Sequence, residues 1–213
     1  MDPRALRARL RHVYWIGGGS GGGKSTIARR LAARHGLSVY ATDDVMPEHA
    51  RLLTPREAPQ LSRFKDMDMD ERWVHRSPRA MLETFHWYRG EGFGLIVADL
   101  LRLPPGRGVI AEGFRLLPGL VGPLLVDPAR AVWLLPTPAF RRAAFDSRGT
   151  AWDIPRRTGD PRRALHNLLE RDRLFTDRLA EETGRLGLPA VEVGPGTGED
   201  ELAERVARVF GLC

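Results

Sequence analysis

The sequence predicts an α/β fold built on a parallel sheet. Short apolar segments rich in β-forming residues alternate with longer segments whose apolar residues recur at helical spacing. A glycine-rich segment joins the first of these predicted strands to the helix that follows it. With 213 residues, of which 42% are hydrophobic, the chain has the size of a single domain, residues 1–213.

The glycine-rich segment, residues 18–26, fits the phosphate-binding pattern G-x-x-x-x-G-K-[ST]. The apolar residues 13–16 before it predict a short buried strand, and Ile27 and Leu31 after it have helical spacing. This order of strand, loop and helix is the context that the motif requires. The predicted nucleotide-binding residues of the segment are Gly18, Gly19, Ser20, Gly21, Gly22, Gly23, Lys24, Ser25 and Thr26.

Phosphate binding explains the residue types in this segment. Glycine adopts positive φ angles at low cost, so the loop can turn its backbone N–H groups towards one anion. The chain has 33 Lys and Arg residues, but its lysines are only Lys24 and Lys65. A compact ammonium thus stands where a planar guanidinium would not substitute. We expect Lys24 to reach the β- and γ-phosphates and the Ser25 hydroxyl to bind Mg²⁺.

The first part of the chain predicts a helical lead-in and a second strand. Residues 1–12 have the pattern of a short exposed helix, and the helix after the loop should end near Gly36. Residues 37–41 predict the second strand, which Asp43 and Asp44 follow. Ligands bind at the carboxyl ends of parallel strands, so Asp43 is a candidate for contacting the acceptor, and Asp44 for the metal through a water molecule.

Residues 45 to about 104 predict a helical insert that covers one side of the site. Ser77 before Pro78 is typical of a helix start, and the apolar spacing from Phe93 to Leu103 predicts another helix. This spacing argues against a strand that ends in Asp99. Prolines are expected to interrupt the insert at Pro47, Pro55, Pro59 and Pro78. Core packing is favoured over ligand stacking for Trp73, His75, His86, Trp87 and Tyr88.

The second half of the chain predicts three more strands. Residues 109–113 and 131–135 are short apolar segments, and residues 190–193 form the last one. Thr137 is positioned to cap the helix after the second of these segments. A long amphipathic helix is expected from about Arg162 to Leu186, and a shorter one closes the chain.

Charged residues near these strands are further candidates for the site. Glu112 ends an apolar strand, where an acid is seldom left unpaired. Together with Asp43 and Arg115, it is predicted to contact the acceptor. Arginines recur among turn-forming residues after position 140, which predicts a cationic lid at about residues 147–160.

Composition limits the class of protein. The formal net charge is +6, but the arginines are spread along the chain, so nucleic acid is not expected as the main partner. No apolar run approaches the length of a membrane span, and the N-terminal residues lack the apolar part of a signal peptide. The single cysteine excludes an intrachain disulfide. We expect a cytoplasmic monomer or homodimer without membrane contact.

Motifs that the sequence lacks argue against two classes of phosphate-binding protein, the GTPases and the motor ATPases. A GTPase needs an N-K-x-D segment that reads guanine, and neither lysine lies in one. A motor ATPase is usually larger and has an apolar strand that ends in aspartate, whereas the strand at 109–113 carries Glu112. Phosphoryl transfer remains, and it needs a metal-held γ-phosphate, a group that orients the acceptor, and cations over the transition state.

The loop at 18–26, the acid after the second strand, the arginine-rich segment and the loop at 194–198 together resemble the small P-loop kinases. This group includes shikimate, gluconate, chloramphenicol and nucleoside monophosphate kinases. The resemblance implies a P-loop NTPase three-layer sandwich with a five-stranded sheet in the order 2-3-1-4-5 and a mobile lid. It also implies that Asp43 activates the acceptor and that the loop at 194–198 borders adenine. The further residues it implies are Arg148 for catalysis, and Arg156, Arg157, Pro195 and Thr197 for nucleotide binding.

The sequence therefore predicts an ATP- and Mg²⁺-dependent phosphotransferase, a kinase with an alcohol group as acceptor. The acceptor would be a small metabolite, a nucleoside or an antibiotic-like molecule, and the catalytic residues would be Lys24, Asp43 and Arg148. The alternative among enzymes is a nucleoside monophosphate kinase, which would need arginines rather than an aspartate base in the acceptor pocket. The alternative of another class is an ATP-binding regulatory or nucleic-acid-associated P-loop protein.

Overall fold

A computed structural model gives the fold of residues 2–104, 106–149 and 153–212, without the side chain of Arg148. Five parallel strands form one sheet within these residues. They are β1 (Val13–Gly18), β2 (Ser38–Ala41), β3 (Val109–Glu112), β4 (Ala131–Pro136) and β5 (Ala190–Val193). Their spatial order is β2-β3-β1-β4-β5, which confirms the predicted α/β class and the order 2-3-1-4-5.

Helices connect the strands and cover both faces of the sheet. The α-helices are α1 (Pro3–Leu10), α2 (Lys24–His35), α3 (Met46–Leu52), α4 (Pro59–Asp66), α5 (Pro78–Thr84), α6 (Phe93–Arg102), α7 (Pro118–Val121), α8 (Pro138–Arg148), α9 (Pro161–Leu186) and α10 (Glu199–Phe210). A π-helical turn spans Glu71–His75, and 3₁₀ turns span His86–Arg89, Gly122–Leu124, Pro128–Arg130 and Pro155–Arg157. None of the described helices is long and apolar enough to cross a membrane.

Prolines divide the insert into short helices, and three of them lie in the first turn of a helix. Pro47 lies in the first turn of α3, and Pro59 and Pro78 are the first residues of α4 and α5. The first N–H groups of a helix have no intrahelical partner, so proline loses no hydrogen bond there. The prediction that prolines interrupt the insert is therefore confirmed at Pro47, Pro59 and Pro78, where new helices begin. The predicted start of α5 is confirmed, because the Ser77 hydroxyl accepts a hydrogen bond from Ala80 N at 3.2 Å.

The sheet separates two cores, because alternate side chains of a strand point to opposite faces. Tyr14 and Ile16 of β1 pack on the face that α2 and α10 cover. Val13 and Trp15 pack on the other face, against residues of α1, α6 and α9. The described chain is thus a three-layer sandwich of helices, sheet and helices.

A buried tryptophan fixes the loop after β3 against β4. The Trp133 indole is fully buried, and its Nε1 donates to Leu116 O at 2.8 Å. Gly17 of β1 leaves room for the ring, since a Cβ atom at this position would overlap the indole. This contact holds the loop that carries Arg115 beside the end of β1.

The insert packs around aromatic side chains. Four aromatic side chains of the insert are buried, which confirms the prediction of core packing for them: Trp73, His86, Trp87 and Tyr88. The prediction is wrong for His75, which lies exposed at the end of the π-helical turn. The Tyr88 ring stacks on Phe175 of α9 with centroids 3.7 Å apart, so α9 supports the insert. The helix predicted around Asp99 is confirmed as α6.

The described part of the predicted lid is docked on the insert. Gly159 N donates to Asp70 Oδ1 at 2.7 Å, and Ile154 packs against a cluster that contains Trp73 and Leu168. Residues 150–152 of the predicted lid lie outside the described residues. The part from 153 to 160 is therefore anchored by apolar and polar contacts to the insert.

Gly113→Ala should destabilise the fold. Gly113 has a φ of 148°, and a Cβ atom at this position would overlap the Thr42 hydroxyl. A side chain would strain the backbone and separate the ends of β2 and β3, at a cost of about 1–3 kcal/mol of unfolding free energy. Chemical denaturation measures the change.

Gly119→Ala is the matched control, because Gly119 lies in α7 and a Cβ atom there would meet nothing within 4 Å. This variant should stay within about 0.5 kcal/mol of the parent. Equal unfolding free energies for the two variants would show that the tight approach of Gly113 to Thr42 is unimportant.

Candidate active site

The loop between β1 and α2 has the backbone shape of an anion nest. Gly18, Gly21 and Gly23 have φ angles of 132°, 78° and 81°, in the region that favours glycine. A Cβ atom at Gly18 would also overlap the backbone of Leu134 in β4. The glycines thus serve both the turn of the loop and its close packing on the sheet, as the motif predicts.

Lys24 is the first residue of α2 and lies across the loop. Its side chain is 8% exposed, and Nζ donates to Gly19 O at 2.8 Å. The α2 N-cap is Gly23, which provides no side-chain acceptor, and the first turn of α2 contains no acidic residue. The ammonium and the positive end of the helix dipole therefore act on the same space inside the loop.

Glu112 brings a carboxylate to the start of α2. It ends β3, between β1 and β2, and is 4% exposed. Burial raises the pKa of its carboxyl group, while a hydrogen bond from the Ser25 hydroxyl and the charge of Lys24 oppose that rise. Glu112 thus lies beside the hydroxyl predicted to bind the metal, and its predicted contact with an acceptor stays a prediction.

These residues fit a magnesium ion that binds together with phosphate. No cluster of three or more His, Cys, Asp or Glu residues in the described chain could hold a metal by itself. Mg²⁺ in phosphoryl-transfer sites is usually held by few protein oxygens, with phosphates and waters completing its shell. The Ser25 hydroxyl and the Glu112 carboxylate can supply such oxygens. Asp44 is exposed one residue beyond Asp43, and its role at the metal stays a prediction.

Asp43 follows β2 at the same edge of the sheet. Thr42 N donates to Glu112 O at 2.9 Å, which holds the start of the Asp43 segment against the end of β3. Although the Asp43 side chain is exposed, desolvation by the surrounding protein raises the pKa of its carboxyl group. The charges of Lys24 and Arg115 oppose this rise. The structure therefore brings Asp43 within electrostatic reach of the phosphate loop, as the sequence predicts.

Arg115 is a buried cation beside Asp43. Its side chain is 2% exposed, and its guanidinium lies over the Trp87 ring, 4.1 Å from the centroid. Burial lowers its pKa to about 10, and the negative charge of Asp43 opposes that fall. Arg115 stays charged at neutral pH and can attract an anionic group at this edge of the sheet.

Arg141 is a site residue to which sequence reasoning gave no role. It lies one turn into α8 and is 2% exposed. Its guanidinium donates to Ser20 O at 3.3 Å, to Leu169 O at 3.4 Å and to Thr176 Oγ1 at 2.6 Å. The sequence signal that places Arg141 near the loop was the predicted cap at Thr137, whose hydroxyl accepts from Phe140 N at 3.2 Å. A helix that starts there places its first turn beside the loop.

A cavity of about 390 Å³ opens next to the phosphate loop. Gly21 and Gly23 line one side of it, and Pro195 and Thr197 from the loop after β5 line another. Ala144 belongs to the α8 residues that complete the wall. The structure thus brings together the two segments that were predicted to contact the donor nucleotide.

Two of the predicted lid arginines are exposed in the described chain, and their contact with the nucleotide stays a prediction. Arg156 and Arg157 lie exposed on the 3₁₀ turn Pro155–Arg157. The side chain of Arg148, predicted to be catalytic, lies outside the described residues. In the part of the chain that is described, Arg141 and Arg115 are the arginines buried beside the site.

No protein-family model and no curated protein sequence matches this chain.

Ala144→Trp should weaken nucleotide binding. Ala144 lines the cavity beside Gly21, and an indole there would fill the space available to a base. The dissociation constant for ADP should rise at least about tenfold, as expected for the loss of roughly 1.4 kcal/mol. Titration calorimetry measures this constant, and circular dichroism checks the fold.

Ala33→Trp is the matched control. Ala33 is exposed on α2 and lines a different cavity, between α2 and α10. Its substitution should leave the ADP affinity unchanged. If Ala144→Trp binds ADP as tightly as Ala33→Trp does, the cavity beside the loop is not the base site.

Proposed function

We propose that the protein is an ATP-dependent kinase that transfers the γ-phosphoryl group to a hydroxyl of a small molecule. The observation that carries the proposal is the position of Asp43 at the carboxyl edge of the sheet, where the charge of Lys24 acts on it. A carboxylate beside a phosphate-binding loop suits an acceptor whose proton must be removed or oriented.

Each part of the site has a place in this reaction. The cavity bordered by Gly21, Pro195 and Thr197 suits the base of the donor. Lys24 and the N–H groups at the start of α2 suit the β- and γ-phosphates. Ser25 and Glu112 would hold Mg²⁺, which neutralises phosphate charge during transfer.

The acceptor would react as follows. Its hydroxyl oxygen forms a bond to the γ-phosphorus while the bond from that phosphorus to the bridging oxygen breaks and ADP leaves. Asp43 accepts the hydroxyl proton, and the crowding that raises the pKa of its carboxyl group makes it a better base. Lys24 and the buried guanidinium of Arg141 stabilise negative charge beside the loop.

A nucleoside monophosphate kinase is the second candidate, and the buried cation of Arg115 beside Asp43 favours it. However, an ionised phosphate acceptor would be repelled by the Asp43 carboxylate. Two unit charges about 4 Å apart interact by about 4 kcal/mol at an effective dielectric constant near 20. The hydroxyl acceptor is therefore the function that the geometry supports best.

Lys24→Ala should abolish turnover and keep the fold. Lys24 acts on charge that develops at the phosphates, so its loss should lower kcat at least about 10²-fold. ADP release is measured against a panel of sugars, nucleosides and aminoglycosides. Circular dichroism should show that the variant keeps the fold, because alanine is well accommodated at the first position of α2.

Lys65→Ala is the matched control, since Lys65 is the other lysine of the chain and donates at the surface to Ala50 O. It should turn over as the parent does. If Lys24→Ala retains the parent rate, the glycine-rich loop is not the catalytic phosphate site.

Asp43→Asn separates the two candidate functions. With a hydroxyl acceptor, loss of the base should lower kcat about 10²–10⁴-fold while ATP affinity stays the same. Asp44→Asn is the comparison. If Asp44 acts through the metal, this variant should need more Mg²⁺ to reach half of its maximal rate, and its kcat at saturating Mg²⁺ should stay the same. Steady-state kinetics with both variants measure these changes. A retained kcat in Asp43→Asn, or improved binding of a nucleoside monophosphate, contradicts the hydroxyl kinase and supports the alternative.

A further inference from the structure

A chain of hydrogen-bonded side chains runs from the insert to Arg115. Arg115 Nη2 lies 3.2 Å from His49 Nδ1, and His49 Nε2 lies 2.9 Å from Asp99 Oδ2. We propose that His49 and Asp99 are positioning residues that hold the Arg115 guanidinium beside Asp43 for phosphoryl transfer. This inference rests on the proposed function.

The donor pattern fixes the protonation of His49. A guanidinium can only donate hydrogen bonds, so His49 Nδ1 must accept from Arg115. Nε2 therefore carries the ring proton and donates to the Asp99 carboxylate. A doubly protonated ring would place an N–H group and a positive charge against Arg115, so the contact requires neutral His49.

Asp99 is itself held in place from two elements. The Tyr40 hydroxyl of β2 donates to Asp99 Oδ2 at 2.7 Å, and Arg102 Nη1 donates to Asp99 Oδ1 at 3.1 Å. His49 is 3% exposed, whereas the Arg102 side chain is 78% exposed. The carboxylate thus has a fixed orientation at the partly exposed end of the chain of contacts, and Arg102 contributes from solvent.

Arg115 depends on this chain because its other contacts are weak. Nη1 donates to Thr42 O at 3.4 Å, and Nη2 donates to Gly92 O at 3.5 Å. Its Nε has no hydrogen-bond partner among the described residues. Stacking on Trp87 fixes the plane of the guanidinium but not its rotation within that plane. The shorter contact with His49 fixes this rotation of the guanidinium.

The position of Arg115 matters for the reaction because its guanidinium lies against the segment that carries Asp43. Thr42, whose carbonyl accepts from Arg115, is the residue before Asp43. A rotated guanidinium would move its charge away from the reacting edge. Misplacement of about 1 Å in such a site can cost about 10²-fold in rate.

His49→Leu is the disruptive variant and His49→Gln the conservative one. Leu cannot accept from Arg115, whereas the Gln amide can accept with its oxygen and donate with its nitrogen. We expect His49→Leu to lower kcat about 10–100-fold with the KM for ATP unchanged. His49→Gln should restore kcat to within about threefold of the parent. The assay uses the alcohol from the panel that gives the fastest ADP release.

Arg102→Gln is the matched control. It removes an exposed partner of the same Asp99 carboxylate and leaves His49 in place. Its kcat should stay within about twofold of the parent, as for other exposed ion pairs. Parent-like turnover in His49→Leu overturns the proposal. So does a His49→Gln variant that is no better than His49→Leu, because the ring would then act by packing alone.

A spectrum of the unaltered protein tests the geometry without turnover. Two-dimensional ¹⁵N–¹H spectra of the histidine rings should show His49 protonated at Nε2 only, with the assignment made from the signal that His49→Gln loses. Protonation at Nδ1 overturns the proposal even if His49→Leu fails to fold. Parent protein that transfers no phosphoryl group to any alcohol contradicts the proposed function instead, and the spectrum still decides whether the chain of contacts exists.

Discussion

The alignment of three strand ends is the constraint on which the site depends. β3 lies between β1 and β2, and Glu112 is paired in register with both Ile16 and Ala41. Just beyond the paired residues, Gly113 N donates to Ile16 O at 3.0 Å and Thr42 N donates to Glu112 O at 2.9 Å. These bonds bring the phosphate loop, the Glu112 carboxylate and the Asp43 segment to one edge. A slip of one residue in either pair would turn each side chain of the strand to the opposite face.

Several buried charges lie around this edge. Lys24, Arg115 and Arg141 are each at most 8% exposed, Glu112 is buried at the same level, and the buried Asp172 acts on Arg141. Burying a charge costs more than a single partner usually returns, so stability alone would favour apolar residues here. The Arg171–Asp172 pair, whose charged atoms lie 2.6 Å apart, is a further buried pair on α9. An anionic ligand at the loop would add negative charge beside these cations.

Local rules predicted the parts of the site that depend on neighbours in the chain. The glycine-rich loop, the capping residues Ser77 and Thr137, and the sheet order followed from short motifs and from a family resemblance built on them. His49 and Arg115 are 66 residues apart, and Arg141 and Ser20 are 121 apart. No periodicity or spacing reports such contacts, because the packing of elements that are distant in the chain decides them. The helix boundaries at Pro47 and Pro59, in contrast, follow from a local rule, since proline fits the first turn of a helix and interrupts a helix elsewhere.

The glycine-rich loop and the insert share one support, the helix α9. Tyr88 of the insert donates to Asp172 Oδ1 on α9 at 3.0 Å, and its hydroxyl also interacts with Ser20 of the phosphate loop. One turn further along α9, Thr176 Oγ1 accepts from Arg141 at 2.6 Å. Moving α9 as a body would break both contacts and separate the stacked rings of Tyr88 and Phe175. These contacts therefore hold the loop and the insert in one arrangement on α9, which begins at Pro161.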